Sequence, residues 1–170
     1  MPPVPAPAQP MIRVLSKTDT GEFWQLRLRA LREEPESFAM AFEEARVVGT
    51  LDSSGDSFVL GAFTPAFSGT AGFFRRQGIK NRHKGTVWGM YVTPEARGQG
   101  LARSLMSSLI SYAADLPDLE QLVLEVVTTN EAARRLYSSL GFVSYGLERR
   151  ALRIGDRYLD EELLSLHLKR

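Results

Sequence analysis

Apolar side chains return every three or four positions over 101–113: Leu101, Ala102, Leu105, Met106, Leu109, Ile110 and Ala113. Arg103, Ser104, Ser107, Ser108 and Ser111 fill the other side. This 3.6-residue stripe predicts an amphipathic helix packed along a sheet and ended by Pro117. Upstream, 86–92 reads as a buried strand, with Trp88, Met90 and Val92 on one face and Tyr91 on the other. Residues 11–15 form a short apolar strand, and Ser16 to Thr20 offer caps for a helix reaching Arg32, with Phe23, Leu26, Ala30 and Leu31 on one side. Pro35 interrupts it, and a second short helix is expected over 36–44, where Phe38 and Phe42 stand four apart. Such a pair either belongs to the core or lines a pocket.

A polar connection over 49–55 leads to two strands, 57–63 and 70–76, which pair antiparallel. Residues 122–127 are an apolar strand interrupted by Glu125. Asn130 then caps a helix carrying Ala132, Ala133, Leu136, Tyr137 and Leu140, and Gly141 stops it at the C′ position. Two long strands, 142–153 and 157–168, turn at Gly155-Asp156, and Leu164, Leu166 and Leu168 mark a buried face of the second. Strands separated by helices, closed by a hairpin, predict an α/β fold with a mixed sheet.

Composition narrows the chemistry. A chain of 170 residues, 44% apolar and 24% charged, suits one globular domain. The formal net charge of +1 gives no general pull toward nucleic acid or membrane, and no apolar run nears the roughly 18–20 residues of a membrane helix. The absence of cysteine excludes disulfides, thiolate metal sites and a cysteine nucleophile. His83 and His167 lack metal-ligand spacing, so no metal is expected. Residues 1–10 hold five prolines and neither a basic start nor an apolar run; they predict an extended, disordered tail rather than a secretory signal, and a cytoplasmic protein. Arg75, Arg76, Lys80, Arg82, His83 and Lys84 form a basic cluster without an aromatic platform over 77–84, which favours a solvated hairpin loop over an RNA contact.

The turn between the 86–92 strand and the long helix carries Gly98 and Gly100. Glycines at a helix start leave backbone N–H groups bare, an arrangement that holds a phosphate or pyrophosphate. A Walker loop would need Lys-Ser/Thr after Gly100, where Leu101-Ala102 stand; a dinucleotide fingerprint would need a third glycine at 103, which is Arg. Both are excluded.

Arg97-Gly98-Gln99-Gly100-Leu101-Ala102 matches the Arg/Gln-x-x-Gly-x-Gly/Ala motif, and Asn130, Ala133, Leu136, Tyr137, Gly141 and Phe142 follow an Asn-x-x-Ala-x-x-Leu-Tyr-x-x-x-Gly-Phe pattern. On these two blocks the chain resembles the GNAT superfamily of acyl-CoA-dependent N-acetyltransferases. The resemblance implies a GNAT-like fold over 11–170: a central mixed, mostly antiparallel sheet, splayed between two middle strands and flanked by about four helices. It implies acetyl-CoA as cosubstrate. The N–H groups of Arg97, Gly98, Gln99, Gly100, Leu101 and Ala102 would hold its pyrophosphate, and Met90, Tyr91 and Val92 would pair with its pantetheine arm. Gly89 would either form the bulge that opens the splay or ease packing. The Arg97 side chain would reach a phosphate or lie on the surface, and Asn130 would touch the cofactor or only cap its helix. Family members are often dimers, so a homodimer is allowed.

Acetyl transfer to an amine needs a base and an acid. With a pKa of about 10.4, roughly one alkylammonium in a thousand is neutral at pH 7. Tyr137 is placed by the resemblance beside the thioester sulfur, to protonate the leaving thiolate, unless it is simply a core tyrosine. Glu125 is the candidate base: it shares a face with Val123 and Val127, where desolvation would raise its pKa, although it also suits an exposed position at the splay or one that orients water. The Leu-Glu-Val run and Tyr137 twelve positions on are locally similar to ribosomal-protein-alanine acetyltransferases, which implies the base role. With no residue set for an acyl-enzyme, direct attack is expected, the thioester carbonyl polarised by the Val92 N–H. The acceptor is read as a small-molecule amine bound between the 23–42 helices and the hairpin near 153–158, the alternatives being a peptide N-terminus or a CoA-binding module without catalysis. Glu33, Glu34, Glu36, Glu43 and Glu44 would attract a cationic amine or merely cover exposed helix faces.

Overall fold

The computed structural model describes residues 9–46, 51 and 53–168. Seven strands form one sheet: β1 (Met11–Val14), β2 (Ser57–Phe63), β3 (Phe67–Arg75), β4 (Lys84–Val92), β5 (Gln121–Val127), β6 (Val143–Ile154) and β7 (Arg157–His167). Their order is β1-β2-β3-β4-β5-β7-β6, and every neighbouring pair is antiparallel except β4 with β5. Three α-helices accompany them: α1 (Thr20–Glu33), α2 (Leu101–Ala114) and α3 (Glu131–Ser139). Most of the tail expected over 1–10 lies outside the described residues, as does part of the 49–55 connection.

The larger core lies where the α2 stripe meets the sheet: Leu101, Leu105, Met106 and Leu109 pack with Leu60, Ala71, Phe73, Leu122 and Leu124. Phe23, Leu26, Ala30 and Leu31 of α1 are buried on the opposite side. α1 is anchored at its start by Asp19, whose carboxylate accepts the Ser16 N–H at 2.7 Å and both Arg13 Nη groups at 2.8 and 2.7 Å. That pairing holds Asp19 well below the usual carboxylate range.

Two expectations need correction. No helix spans 36–44; short 3-10 turns at Pro35–Ser37 and Glu44–Arg46 bracket it, and Phe38 is extended. Its aromatics dock on α1 guanidinium groups instead of on each other, Phe38 under Arg27 and Phe42 under Arg32, each 4.7 Å from ring centroid to guanidinium carbon. These contacts outside the segment take the place of a helical i, i+4 pair.

The second correction concerns β4. Trp88 does not share a face with Met90 and Val92; it packs with Phe23 and Leu15, on the side where Tyr91 meets Leu26 and Ala30. Thr70 faces Tyr91 and Gly72 faces Trp88, so Gly89 and Met90 together oppose Ala71 alone. This is a β-bulge, which reverses the alternation beyond it. Gly89 adopts φ +62°, a left-handed conformation that favours glycine. Across the sheet Gly72 must also lack a side chain, since a Cβ there would stand 2.3 Å from the Trp88 indole.

β4 and β5 pair only through Lys84–Gln121, Gly85–Leu122 and Thr86–Val123. Beyond Thr86 the strands part, and the splay opens toward the glycine turn.

Candidate active site

The parted strands form the walls of a cleft of about 460 Å³. Val87 to Val92 of β4 line one wall and Leu124 to Val127 of β5 the other; the glycine turn, Asn130, Leu136 and Tyr137 close one side, with Ser37 and Phe38 on the other. Of the residues singled out from the sequence, Met90, Tyr91, Val92, Arg97, Gly98, Gly100, Leu101, Ala102, Glu125, Asn130 and Tyr137 all line this cleft. Gln99 does not line it, although it belongs to the same turn.

Gly98 and Gly100 hold φ of +73° and +78°, which explains why glycine stands at both places. Gly100 caps α2 without a side chain, and from Gly98 to Arg103 no backbone N–H finds an acceptor among the described residues. Bare N–H groups at the positive end of a 14-residue helix make an anion cradle.

The Arg97 side chain is exposed and tied down at several points. Its Nε donates to the Val92 carbonyl at 2.9 Å, its Nη2 pairs with Glu34, and its guanidinium carbon lies 5.7 Å from the Tyr91 ring centroid. It braces the turn against β4 and α1. Tyr91 packs its ring with Leu26 and Ala30 and donates from its hydroxyl to Glu33 at 2.6 Å. Asn130 caps α3, its Oδ1 accepting the Ala133 N–H at 3.2 Å, while its Nδ2 donates to Ser37 Oγ at 3.5 Å.

Tyr137 is 6% exposed and sits edge-on to Phe142, ring centroids 5.8 Å apart. Burial pushes its hydroxyl up to about 12. That hydroxyl makes no hydrogen bond to any described residue, so it is available to a ligand.

Glu125 is exposed, not desolvated among valines. The buried carboxylate of this sheet face is Glu161 of β7, 8% exposed, opposite Val127 on one side and Glu148 on the other. Burial raises its pKa, and the charges of Glu125 and Glu148 raise it further. The Leu164-Leu166-Leu168 pattern marks the other face of β7; the signal for Glu161 is its alternation with Leu159 and Leu163. Arg27 is likewise buried within the apolar stripe of α1, where its charge hides it from a pattern of apolar positions. Among the described residues no cluster of histidine or carboxylate side chains could hold a metal ion, and no helix is long and apolar enough to cross a membrane.

The sequence pattern of the acetyltransferase (GNAT) family matches residues 9–142, and the chain belongs to that family. It is 31% identical over 78 residues to spermidine N(1)-acetyltransferase of Vibrio cholerae, covering 46% of this chain and 45% of that one. It is 40% identical over 63 residues to the N-alpha-acetyltransferase RimI of Mycobacterium tuberculosis, covering 37% of each. The chain thus spans less than half the length of these curated relatives. Among solved structures, a GNAT-family acetyltransferase from Streptococcus pneumoniae superposes with a TM-score of 0.79 at 24% identity, over 94% of this chain and 99% of that one. The yncA protein of Salmonella typhimurium, solved with its cofactor acetyl-CoA, also reaches 0.79, at 22% identity over 96% of each chain. At such identities the likeness is one of fold, and it includes the mixed sheet expected from the sequence.

Proposed function

We propose that this chain moves the acetyl group of acetyl-CoA to a primary amine by direct attack. The observation that carries the reading is a single continuous cleft, in which an unpaired strand edge runs from a bare N–H cradle past a free, buried tyrosine hydroxyl. In this reading the cradle over Arg97 to Ala102 holds the pyrophosphate and the open edge at Met90 to Val92 aligns the pantetheine. The amine nitrogen attacks the thioester carbon, the carbon–sulfur bond breaks, and Tyr137 gives its proton to the departing thiolate. Glu125, on the facing strand, takes the proton that the amine must lose. Asn130 keeps the start of α3, and with it Tyr137, in place beside the cofactor.

The test is thiol release from acetyl-CoA across a panel of polyamines, amino acids and peptides. At least one acceptor should raise release well above hydrolysis, and Tyr137→Phe should remove most of the gain. Tight acetyl-CoA binding with no acceptor, and no effect of Tyr137→Phe, would leave a CoA-binding module in place of an enzyme.

A small-molecule acceptor is the first reading. A peptide N-terminus is the second, favoured by the local identity to an N-alpha-acetyltransferase, and the peptide arm of the panel separates the two. The outer strand β6 leaves Val143, Tyr145 and Leu147 exposed, which supports a homodimer through that edge. Nothing in the fold or charge calls for nucleic acid, and a cytoplasmic location suits the reading.

A further inference from the structure

Arg27 lies in the middle of α1 and is 6% exposed. Its Nη1 is buried without a hydrogen-bond partner, and no described carboxylate pairs with it. Nearby acidic side chains are already taken: Glu33 by Arg29 and Tyr91, Glu34 by Arg97, Glu36 by Arg157. What surrounds the guanidinium is aromatic, the Phe38 ring at 4.7 Å and the Trp88 ring at 5.7 Å from its central carbon. Cation–π contact offsets only part of the cost of taking a guanidinium out of water, and arginine does not escape that cost by losing its proton. A buried, unpaired cation of this kind is a group waiting for an anion.

Its position says where the anion would come from. Nη1 lies 3.5 Å from the place where a Cβ on Gly89 would stand, and Gly89, Trp88 and Phe38 all line the acetyl-transfer cleft. Glycine at the bulge therefore leaves the space between the cleft wall and the guanidinium free of a side chain at position 89. Arg27 itself lines a second hollow of about 370 Å³, which meets the cleft at Trp88 and whose other walls include Phe23, Trp24 and Met40. Across the splay, on the same sheet face, stands the carboxylate of Glu125. Two hollows that share Trp88 thus hold a cation behind the β4 wall, at Gly89, and a carboxylate on the β5 wall, with an apolar recess beside the cation.

We propose that the acceptor is an amine that also carries a carboxylate, an amino acid, and that Arg27 binds this carboxylate while the amine faces Glu125. The inference rests on the acetyl-transfer reading for the amine but not for the anion site itself. The planar fork of the guanidinium matches the two carboxylate oxygens, and the surrounding rings exclude water from the pair. Arg27 is a specificity-determining residue in this scheme and takes no part in the transfer of protons.

The probes are the twenty standard L-amino acids and their α-carboxamides, assayed for thiol release from acetyl-CoA. For the preferred side chain, the acid should exceed its carboxamide in kcat/KM by about 30-fold or more, the scale of losing one partner of a buried charge pair. The carboxamides have the less basic amine and so more of it neutral at pH 7, which biases the comparison against the proposal. Arg27→Met should collapse the acid-to-carboxamide ratio through KM, and Arg27→Lys, which keeps the charge but not the fork, should give an intermediate ratio. Without acetyl-CoA, the preferred amino acid should raise the Tm of the wild-type protein and not that of Arg27→Met. If carboxamides serve as well as acids, or if both fall alike in Arg27→Met and Arg27→Lys, Arg27 is a structural cation and the proposal is wrong. If no amine releases thiol yet one of the twenty amino acids raises the Tm of the wild type and not of Arg27→Met, the anion site stands and the acetyl-transfer reading falls; if none does either, the proposal is wrong.

Discussion

Two buried oxygens, the Tyr137 hydroxyl and the Glu161 carboxylate, respond to burial in the same direction and with different consequences. A tyrosine whose pKa is pushed up to about 12 stays protonated across the working range of an enzyme. The profile of kcat/KM against pH should therefore show no descending limb from this group below about pH 10, where a free tyrosine would begin to ionise. Tyr137→Phe should lower kcat by about 10²–10⁴-fold, with acetyl-CoA affinity, measured by calorimetry, little changed. Glu161 holds its proton more tightly in the folded chain than in the unfolded one. Its contribution to stability is thus lost as pH rises above the unfolded carboxylate value of about 4.3 toward the folded one. Glu161→Gln should be more stable than the wild type at pH 7, the difference fading below about pH 4; Tm values across that range check the sign. Asn130 is legible from spacing as the cap of a helix that Gly141 stops, whereas Tyr137 stands out only through the family's pattern, since spacing alone makes it one more member of the stripe with Leu136 and Leu140. Arg27 and Glu161 are legible from neither, because a charged residue inside an apolar stripe gains meaning only once its surroundings are known to lack a partner.

Elements whose pattern is set by their own residues were legible; those set by neighbours were not. The α2 stripe, the Asn130 cap, the Gly141 stop and the Gly155 turn all appear where expected, since each rests on local backbone chemistry. The face of Trp88 departs from the period-two pattern because one bulged residue inverts it, and glycine at 89 signals the bulge without saying which side chains it turns over. The 36–44 segment departs from its helical spacing because its aromatics are satisfied by Arg27 and Arg32 of another element. The bulge gives a prediction at this scale. Gly89→Ala places an L side chain at φ +62°, at a cost of about 1–2 kcal/mol, since the contact its Cβ would make with Arg27 is of ordinary length. In a protein of this size that lowers Tm by about 2–8 °C. Because the substitution also stands between the cleft and α1, KM for the acceptor should rise more than KM for acetyl-CoA. Equal effects on both would mean that the bulge serves only the backbone.

At the scale of the molecule the sheet separates two chemistries. α2 and α3 lie with the larger core and the anion cradle, whereas α1, with Arg27, and the 3-10 turn at Pro35–Ser37 lie on the other face, the one that carries Glu125 and Glu161. Donor and acceptor would then enter from opposite faces and meet only where β4 and β5 part. A ligand bound only by the folded chain, at about one hundred times its Kd, stabilises it by about 2.7 kcal/mol. Acetyl-CoA at that excess should raise Tm by about 5–11 °C, measured by calorimetry.

The three rungs that join β4 to β5 are also the narrowest point of the hydrogen-bonded network. On one side lie β1 to β4, on the other β5, β7 and β6, like two leaves on a short spine. Leaves so joined can breathe against each other, and the amides near the open ends, in Met90 to Val92 and Leu124 to Val127, have the least to hold them closed. A cofactor laid into the gap would act as a missing eighth strand. Hydrogen exchange should then slow at those amides on adding acetyl-CoA and remain nearly unchanged at the spine, around Lys84 to Thr86. Uniform slowing throughout both leaves would instead describe a rigid plate with a groove in it.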